Sequence, residues 1–370
     1  MSSEAVAGSS IGSRLKINKG AVIAEGRALL ALVIIVVVFS LLSARFLDST
    51  NLIIMTRHVA FNAILALGML LVILNGGIDL SVGSTVGLSG MMAGYLLKGW
   101  TIPGTDTVAY PSVWVVIVVS CLVGALVGAI NGILISRLNV APFIATLGML
   151  YAVRGFAELI GNGQTFTALS GQPSLGNTGF IGALHDQILG VPFPIWVMIV
   201  MAIIFSVYLA RAPFGRWLYA SGSNERAAEL SGVPVKRVQM TVYVLSGLCA
   251  GVVGLLLTAD LSAAVPTGGA GYELNAIAAV VIGGAALSGG RGTIRGTLIG
   301  AFVIGFLVDG LVLVGVSVFW QEVIKGVVII VAVALDQAQQ RMQKNRNVKD
   351  AGIPGQPQAQ TKEPVPAAAS

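Results

Sequence analysis

Long apolar runs separated by short polar or glycine-rich stretches fill the chain from Ala28 to about residue 338. Ten runs read as candidate spans: roughly 28–47, 57–74, 80–97, 113–135, 140–160, 193–210, 239–259, 274–288, 293–314 and 320–336. A bilayer core takes about 20 residues of helix, so 370 residues hold about eight to ten spans with short loops. The third, fifth and eighth runs are glycine-rich or interrupted, and re-entrant segments there bring the count toward eight. The pattern predicts an all-α, polytopic membrane helix bundle, because a spanning segment must satisfy its own backbone groups.

Composition excludes a soluble fold. Charged residues are 10% of the chain and apolar residues 55%, against roughly 25% charged in a typical soluble domain. The net charge of +6 points to orientation rather than to nucleic acid. With the N-terminus inside, the N-terminal tail, the turn at Arg137, the 211–238 loop, the 289–296 turn and the C-terminal tail hold 17 of the 22 Lys and Arg residues. The expected outer segments 161–192 and 260–273 hold none. Arg45, Arg57 and Lys98 are outer exceptions, while Arg154 and Lys325 fall within spans. This asymmetry is the positive-inside pattern, with both termini cytoplasmic. It divides the chain into a disordered tail over 1–27, a membrane domain over 28–338 and a second disordered tail over 339–370. The first 27 residues are polar, and the run from Ala28 reads as a retained first span. Cys121 and Cys249 lie inside spans with no metal or redox spacing and read as packing residues.

The stretch from Asn75 to Ser84 places a carboxylate, a carboxamide and hydroxyls among glycines in an otherwise oily region. An intramembrane acid is a functional candidate, and Asp79 serves equally as a cap on a broken helix. The pattern Gly-Gly-x-x-Leu-Ser-x-Gly occurs twice, from Gly76 to Gly83 and from Gly283 to Gly290. Paired glycine-interrupted segments point to a transport pathway. Asn75, Gly76, Gly77, Asp79, Ser81, Gly283, Gly284 and Ser288 are therefore the translocation candidates, with breaks or re-entrant turns near Gly76-Gly77 and Gly283-Gly284. Two glycine ladders, Gly124-Gly128-Gly132 and Gly292-Gly296-Gly300, suit tight packing within one subunit, with a seam between copies as the alternative. Arg154 and Glu158, four apart on one helix, are expected to pair. Glu273 and Asp309 are expected near the outer surface.

The loop from Arg211 to Arg237 is the longest polar stretch between spans. Ser223 or Asn224 can cap a short helix there, with Ala227, Ala228 and Leu230 as its apolar face and Gly232 as its stop. Such a helix suits a docked partner or the membrane surface. No nucleotide-binding loop, nucleophile elbow or metal spacing occurs, so no catalytic or metal-binding residue is assigned. Any energy input comes from a partner or an ion gradient.

Five blocks carry a family resemblance: Asn75–Ser84, the 215–235 loop, Val281–Ala301, Phe319–Gly326 and Ala332–Asp336. In this order they resemble the membrane permeases of ribose-, xylose- and galactose-type ATP-binding-cassette importers, from about residue 28 to 338. Branched-chain amino-acid and nucleoside permeases share a looser form of the loop. The resemblance implies a multi-pass protein of the bacterial cytoplasmic membrane, paired with a second copy, in contact with membrane lipid and not nucleic acid. It further implies a cytoplasmic ATPase that binds ATP-Mg, no cofactor on this chain, and a periplasmic or lipid-anchored sugar-binding protein outside. Gly222, Asn224, Glu225, Arg226, Ala227, Ala228 and Gly232 then form the loop that seats on the ATPase. The implied activity is import of a monosaccharide or related polyol. A gradient-driven secondary transporter, with Asp79 and Glu158 as proton carriers, is the alternative.

Overall fold

Each of the ten apolar runs folds as a helix in the computed structural model, which describes residues 19–350 apart from 102, 103, 105 and 106. The first half holds α1 (Lys19–Leu42), α2 (Ser49–Leu74), α3 (Val82–Lys98), α4 (Val113–Ser136) and α5 (Pro142–Gly161). After a short α6 (Phe180–His185), the chain forms α7 (Phe193–Arg211), α8 (Pro213–Ser223), α9 (Glu225–Leu230) and α10 (Val235–Leu261). It closes with α11 (Tyr272–Ile282), α12 (Ile294–Leu313) and α13 (Val318–Asp350). Two-residue strands pair Trp100–Thr101 with Val108–Ala109, and Gln187–Ile188 with Val191–Pro192, in small antiparallel hairpins. Among the described residues α1, α2, α4, α5, α7, α10 and α12 are long and apolar enough to cross a membrane.

The helices differ in what surrounds them, not in how oily they are. Buried residues make up 89% of the most apolar window of α2, but 28% in α4, 22% in α5 and α7, and 11% in α1. Thus α2 is the axis of the bundle, packed on α10, α12, α11 and α7, while the others turn Leu, Ile and Val outward. A helix that is apolar all round gives no periodic sign of which environment it occupies.

Both glycine ladders pack inside the subunit. Gly124, Gly128 and Gly132 on α4 meet Gly247, Tyr243 and Met240 on α10, and Gly296 and Gly300 on α12 meet Gly283 and Ala279 at α11. A Cβ at Gly128 would fall on the carbonyl of Tyr243, and that backbone has no room to yield. Gly128→Val is therefore expected to cost 3 kcal/mol or more, above the roughly 1–3 kcal/mol usual for overpacking. Loss of the monodisperse peak after detergent extraction checks this.

Two boundaries differ from expectation. α1 begins at Lys19 and α13 runs to Asp350, so helix occupies 19–27 and 339–350 of the expected tails. Gln, Arg, Met and Lys after residue 338 are good helix formers, with no proline before Pro354 to stop them. The rest of both tails lies outside the described residues. The eighth run yields only the 11 residues of α11, about 16 Å at 1.5 Å per residue, half a membrane.

Candidate translocation and coupling site

The turn after α2 starts where Asn75 caps the helix and Gly76 takes a left-handed φ of +84°. Gly76 N–H donates to Ile73 O and Gly77 N–H to Val72 O, the double closure of a glycine C-cap. The chain then turns back into the bundle before α3. Asp79, 1% exposed, is held there: its Oδ1 accepts from Ser81 N–H at 3.0 Å and Ser81 Oγ at 2.7 Å, and its Oδ2 accepts from Ser246 Oγ on α10 at 3.0 Å. Asn131 on α4 donates to Ser81 Oγ at 2.8 Å. No cation pairs with Asp79 among the described residues. Neutral donors and the start of α3, whose dipole favours a nearby anion, supply what solvent would.

The second break repeats the first, one residue out of register with the sequence match. Gly283 takes the αR conformation of Asn75, and Gly284, at φ +89°, takes the place of Gly76. Gly284 N–H donates to Val281 O and Ala285 N–H to Val280 O, reproducing the same closure. The echo therefore lies in the helix stop. Beyond it the copies diverge, with Ala286 buried and Ser288 exposed where Asp79 and Ser81 are both buried.

These breaks meet each other and the end of α8. Gly290 N–H donates to Leu74 O at 2.9 Å, Ser221 Oγ donates to Asn75 Oδ1 at 3.2 Å, and Tyr219 OH donates to Gly292 O at 3.0 Å. Burial raises the Tyr219 phenol above its ordinary value, so it stays a donor. Gly222 is wedged where a Cβ would collide with Leu74 O and Gly290 N. Tyr219 and Ser221 belong to this junction but carry no motif that sequence reasoning could have used.

Next to the junction, α9 is capped by Asn224 Oδ1, which accepts from Ala227 N–H at 3.0 Å, and it stops at Gly232. Its expected apolar face is split: Ala228 is buried, while Ala227 and Leu230 are exposed. Glu225 Oε1 accepts from Gln239 of α10 at 3.1 Å, and Arg226 is exposed.

A third irregular segment was not legible as such. Residues 262–271, expected as an outer loop, run inward along α3: Ala264 meets Gly94, Pro266 and Gly268 meet Gly87, and Gly269 and Glu273 meet Gly83. Glu273 thus lies partly buried against the first turn of α3, far along the bundle from the α3 end where an outer loop was expected. Arg154 of α5 donates to Pro266 O and Gly268 O. It serves those carbonyls and forms no ion pair with Glu158, because the unwound backbone needs donors that no helix supplies.

Over residues 51–333 the chain matches the family described as branched-chain amino acid transport system / permease component. It belongs to this permease family. The ribose import permease protein RbsC of Bacillus subtilis (strain 168) is 44% identical over 308 residues, 83% of this chain and 91% of that protein. RbsC of Escherichia coli (strain K12) is 41% identical over 317 residues, 85% and 94% of the two chains. The D-allose transport system permease protein AlsC of the same strain is 35% identical over 307 residues, 83% and 89%. No solved structure matches.

At the end of the permease opposite α8 and α9, an ion pair and two histidine–carboxylate contacts tie the helices together. Arg57 of α2 donates to Asp260 of α10 at 2.8 Å, and His185 of α6 lies 3.3 Å from the same oxygen. His58 Nδ1 is 3.1 Å from Asp309 of α12. The permease thus has a clamped end bearing α6 and a junction end bearing α8 and α9, with α2 and α10 running between them.

Proposed function

We propose that the permease is the membrane subunit of an ATP-driven importer for a monosaccharide, a pentose or hexose, or a related polyol. The observation that carries this is the wedge of α8 against both helix breaks, with the capped α9 beside it. A partner that displaces α9 moves both breaks at once. The ribose and allose names of relatives aligned over most of the chain support a sugar as the cargo. The α8–α9 end faces the cytoplasm and receives an ATPase carrying ATP-Mg. The α6 end receives a soluble sugar-binding protein, and two permease copies enclose the path. This is rigid-body switching between arrangements, in which the permease binds no cofactor and does no covalent chemistry.

Reconstitution tests it. Vesicles holding the permease, its ATPase and its binding protein are expected to take up D-ribose only with ATP, and collapse of the proton gradient is expected to leave uptake intact. Uptake driven by the gradient alone would sink this reading in favour of a symporter. In the same vesicles Glu225→Lys and Arg226→Glu are each expected to reduce uptake about tenfold, the equivalent of roughly 1.4 kcal/mol of coupling. Basal ATP hydrolysis and the amount of permease in the membrane are expected to stay unchanged.

A further inference from the structure

We propose that α5, the 262–271 segment and the start of α11 form one wall of the substrate path, where Tyr151, Arg154 and Glu273 meet a neutral, hydroxyl-bearing solute. The solute class rests on the sugar-importer reading; the water-lined wall does not. Its depth comes from α3. Between Gly94 and Gly83, where the 264–273 chain runs alongside, α3 rises about 16 Å, half of a roughly 30 Å hydrocarbon core. The irregular segment therefore reaches mid-membrane, where non-helical backbone survives only inside protein or along a water-filled cavity.

Charge, not hydropathy, separates this face from those of α4 and α7 that turn to lipid. α4 and α7 expose Leu122, Leu126, Ile203 and Ile204. The irregular segment instead exposes Thr267 and Ala270. Neighbouring α5 exposes Ile144, Phe156 and Leu159 but also Tyr151, at 71%, and Glu158, while Arg154 and Glu273 are each only partly buried. Charged groups reaching the outside of a bundle at this depth mark a water-filled pathway, since lipid penalises them heavily. Nothing in the subunit lies within 4 Å of a Cβ placed at Gly148 or Gly155, so this side of α5 is bare.

The chemistry suits a polyol. Arg154 and Glu273 are near enough for their charges to interact and offset each other, so the deepest part of the wall carries little net charge to select an ion. Between them they offer guanidinium donors, carboxylate acceptors and an aromatic face, the complement of hydroxyls on an apolar ring. Asp79, by contrast, is sealed among its three donor bonds.

The test uses the full chain with Cys121→Ser and Cys249→Ala, carrying Tyr151→Cys or Gly155→Cys. A charged, membrane-impermeant methanethiosulfonate is expected to label both at least tenfold faster than Leu122→Cys or Leu126→Cys on α4. Separately, Glu273→Gln is expected to raise the KM for D-ribose uptake about tenfold with complex assembly unchanged, and an unchanged KM overturns its contact with the solute. Equal, slow labelling at α4 and α5 overturns the proposal. So does a spontaneous disulfide between two Gly155→Cys copies without labelling, which marks a dry seam. Fast labelling of the α5 cysteine variants, with a wild-type complex that fails to import ribose, upholds the wall and overturns only the sugar.

Discussion

Replacing Asp79 with alanine is expected to prevent the permease from accumulating as a folded protein, whereas Asp79→Asn is expected to preserve it. The carboxylate accepts from Ser81 N–H, Ser81 Oγ and Ser246 Oγ, all buried. Alanine strands these donors, at about 1–3 kcal/mol for each buried group left unpaired. Against a total stability of roughly 5–15 kcal/mol, that loss removes much of the margin. The stranded groups also lie where α2, α3 and α10 join, so the helices lose their relative placement. Asparagine keeps an acceptor oxygen for Ser81, and the Ser246 hydroxyl can rotate to accept from the new amide. Thermal midpoints of the detergent-extracted protein decide. Asp79→Asn should fall within a few degrees of wild type and retain most uptake, while Asp79→Ala should drop by roughly 10 °C or more or aggregate. If asparagine is as damaging as alanine, the negative charge itself is needed and the cap is an incomplete account.

The placement of the spans was legible because spanning helices need long apolar runs, and those runs survive any tertiary arrangement. The axial role of α2 was not legible. This helix is less apolar than α4, yet it is the buried one and α4 faces outward. Water-driven patterning, which tells inside from outside in a soluble helix, has no counterpart between protein and lipid. The short helix α9 was readable because Asn224 and Gly232 are capping chemistry, local in sequence. Arg154 misled for the opposite reason: Glu158 is one turn away, but the carbonyls it serves, on Pro266 and Gly268, lie over a hundred residues on. The 262–271 segment looked like an exposed loop because its small residues resemble turn chemistry. Those residues instead let its backbone lie against Gly83, Gly87 and Gly94 of α3.

The three irregular segments share a physical logic. The turn after α2 and the segment before α11 enter from opposite ends of the bundle and come together at the first turn of α3, beside Gly83. Each is secured by a polar side chain: Asp79 for one, Arg154 for the other. The third, after α11, lies at the junction end against Leu74 and α8. Motion at the junction is therefore one short chain segment from Asp79 and from the middle of the membrane.

Gly222→Ala is expected to uncouple that junction. The added Cβ would occupy the space of Leu74 O and Gly290 N, which are hydrogen-bonded at 2.9 Å. Both are backbone atoms of helix breaks, so neither can swing aside as a side chain would, and α8 must withdraw from one of them. Overpacking of this kind costs about 1–3 kcal/mol, small enough for the bundle to remain folded but enough to separate α8 from the breaks it positions. Uptake is expected to fall more than tenfold while the complex still assembles and hydrolyses ATP at its basal rate. Gly232→Ala is the control: its φ of +81° is strained for alanine, but nothing lies within 4 Å of the new Cβ. That strain is about 1 kcal/mol at the end of α9 and leaves the α8 wedge in place, so uptake should fall far less. Equal uptake in the two variants would mean that close approach at Gly222 carries no signal.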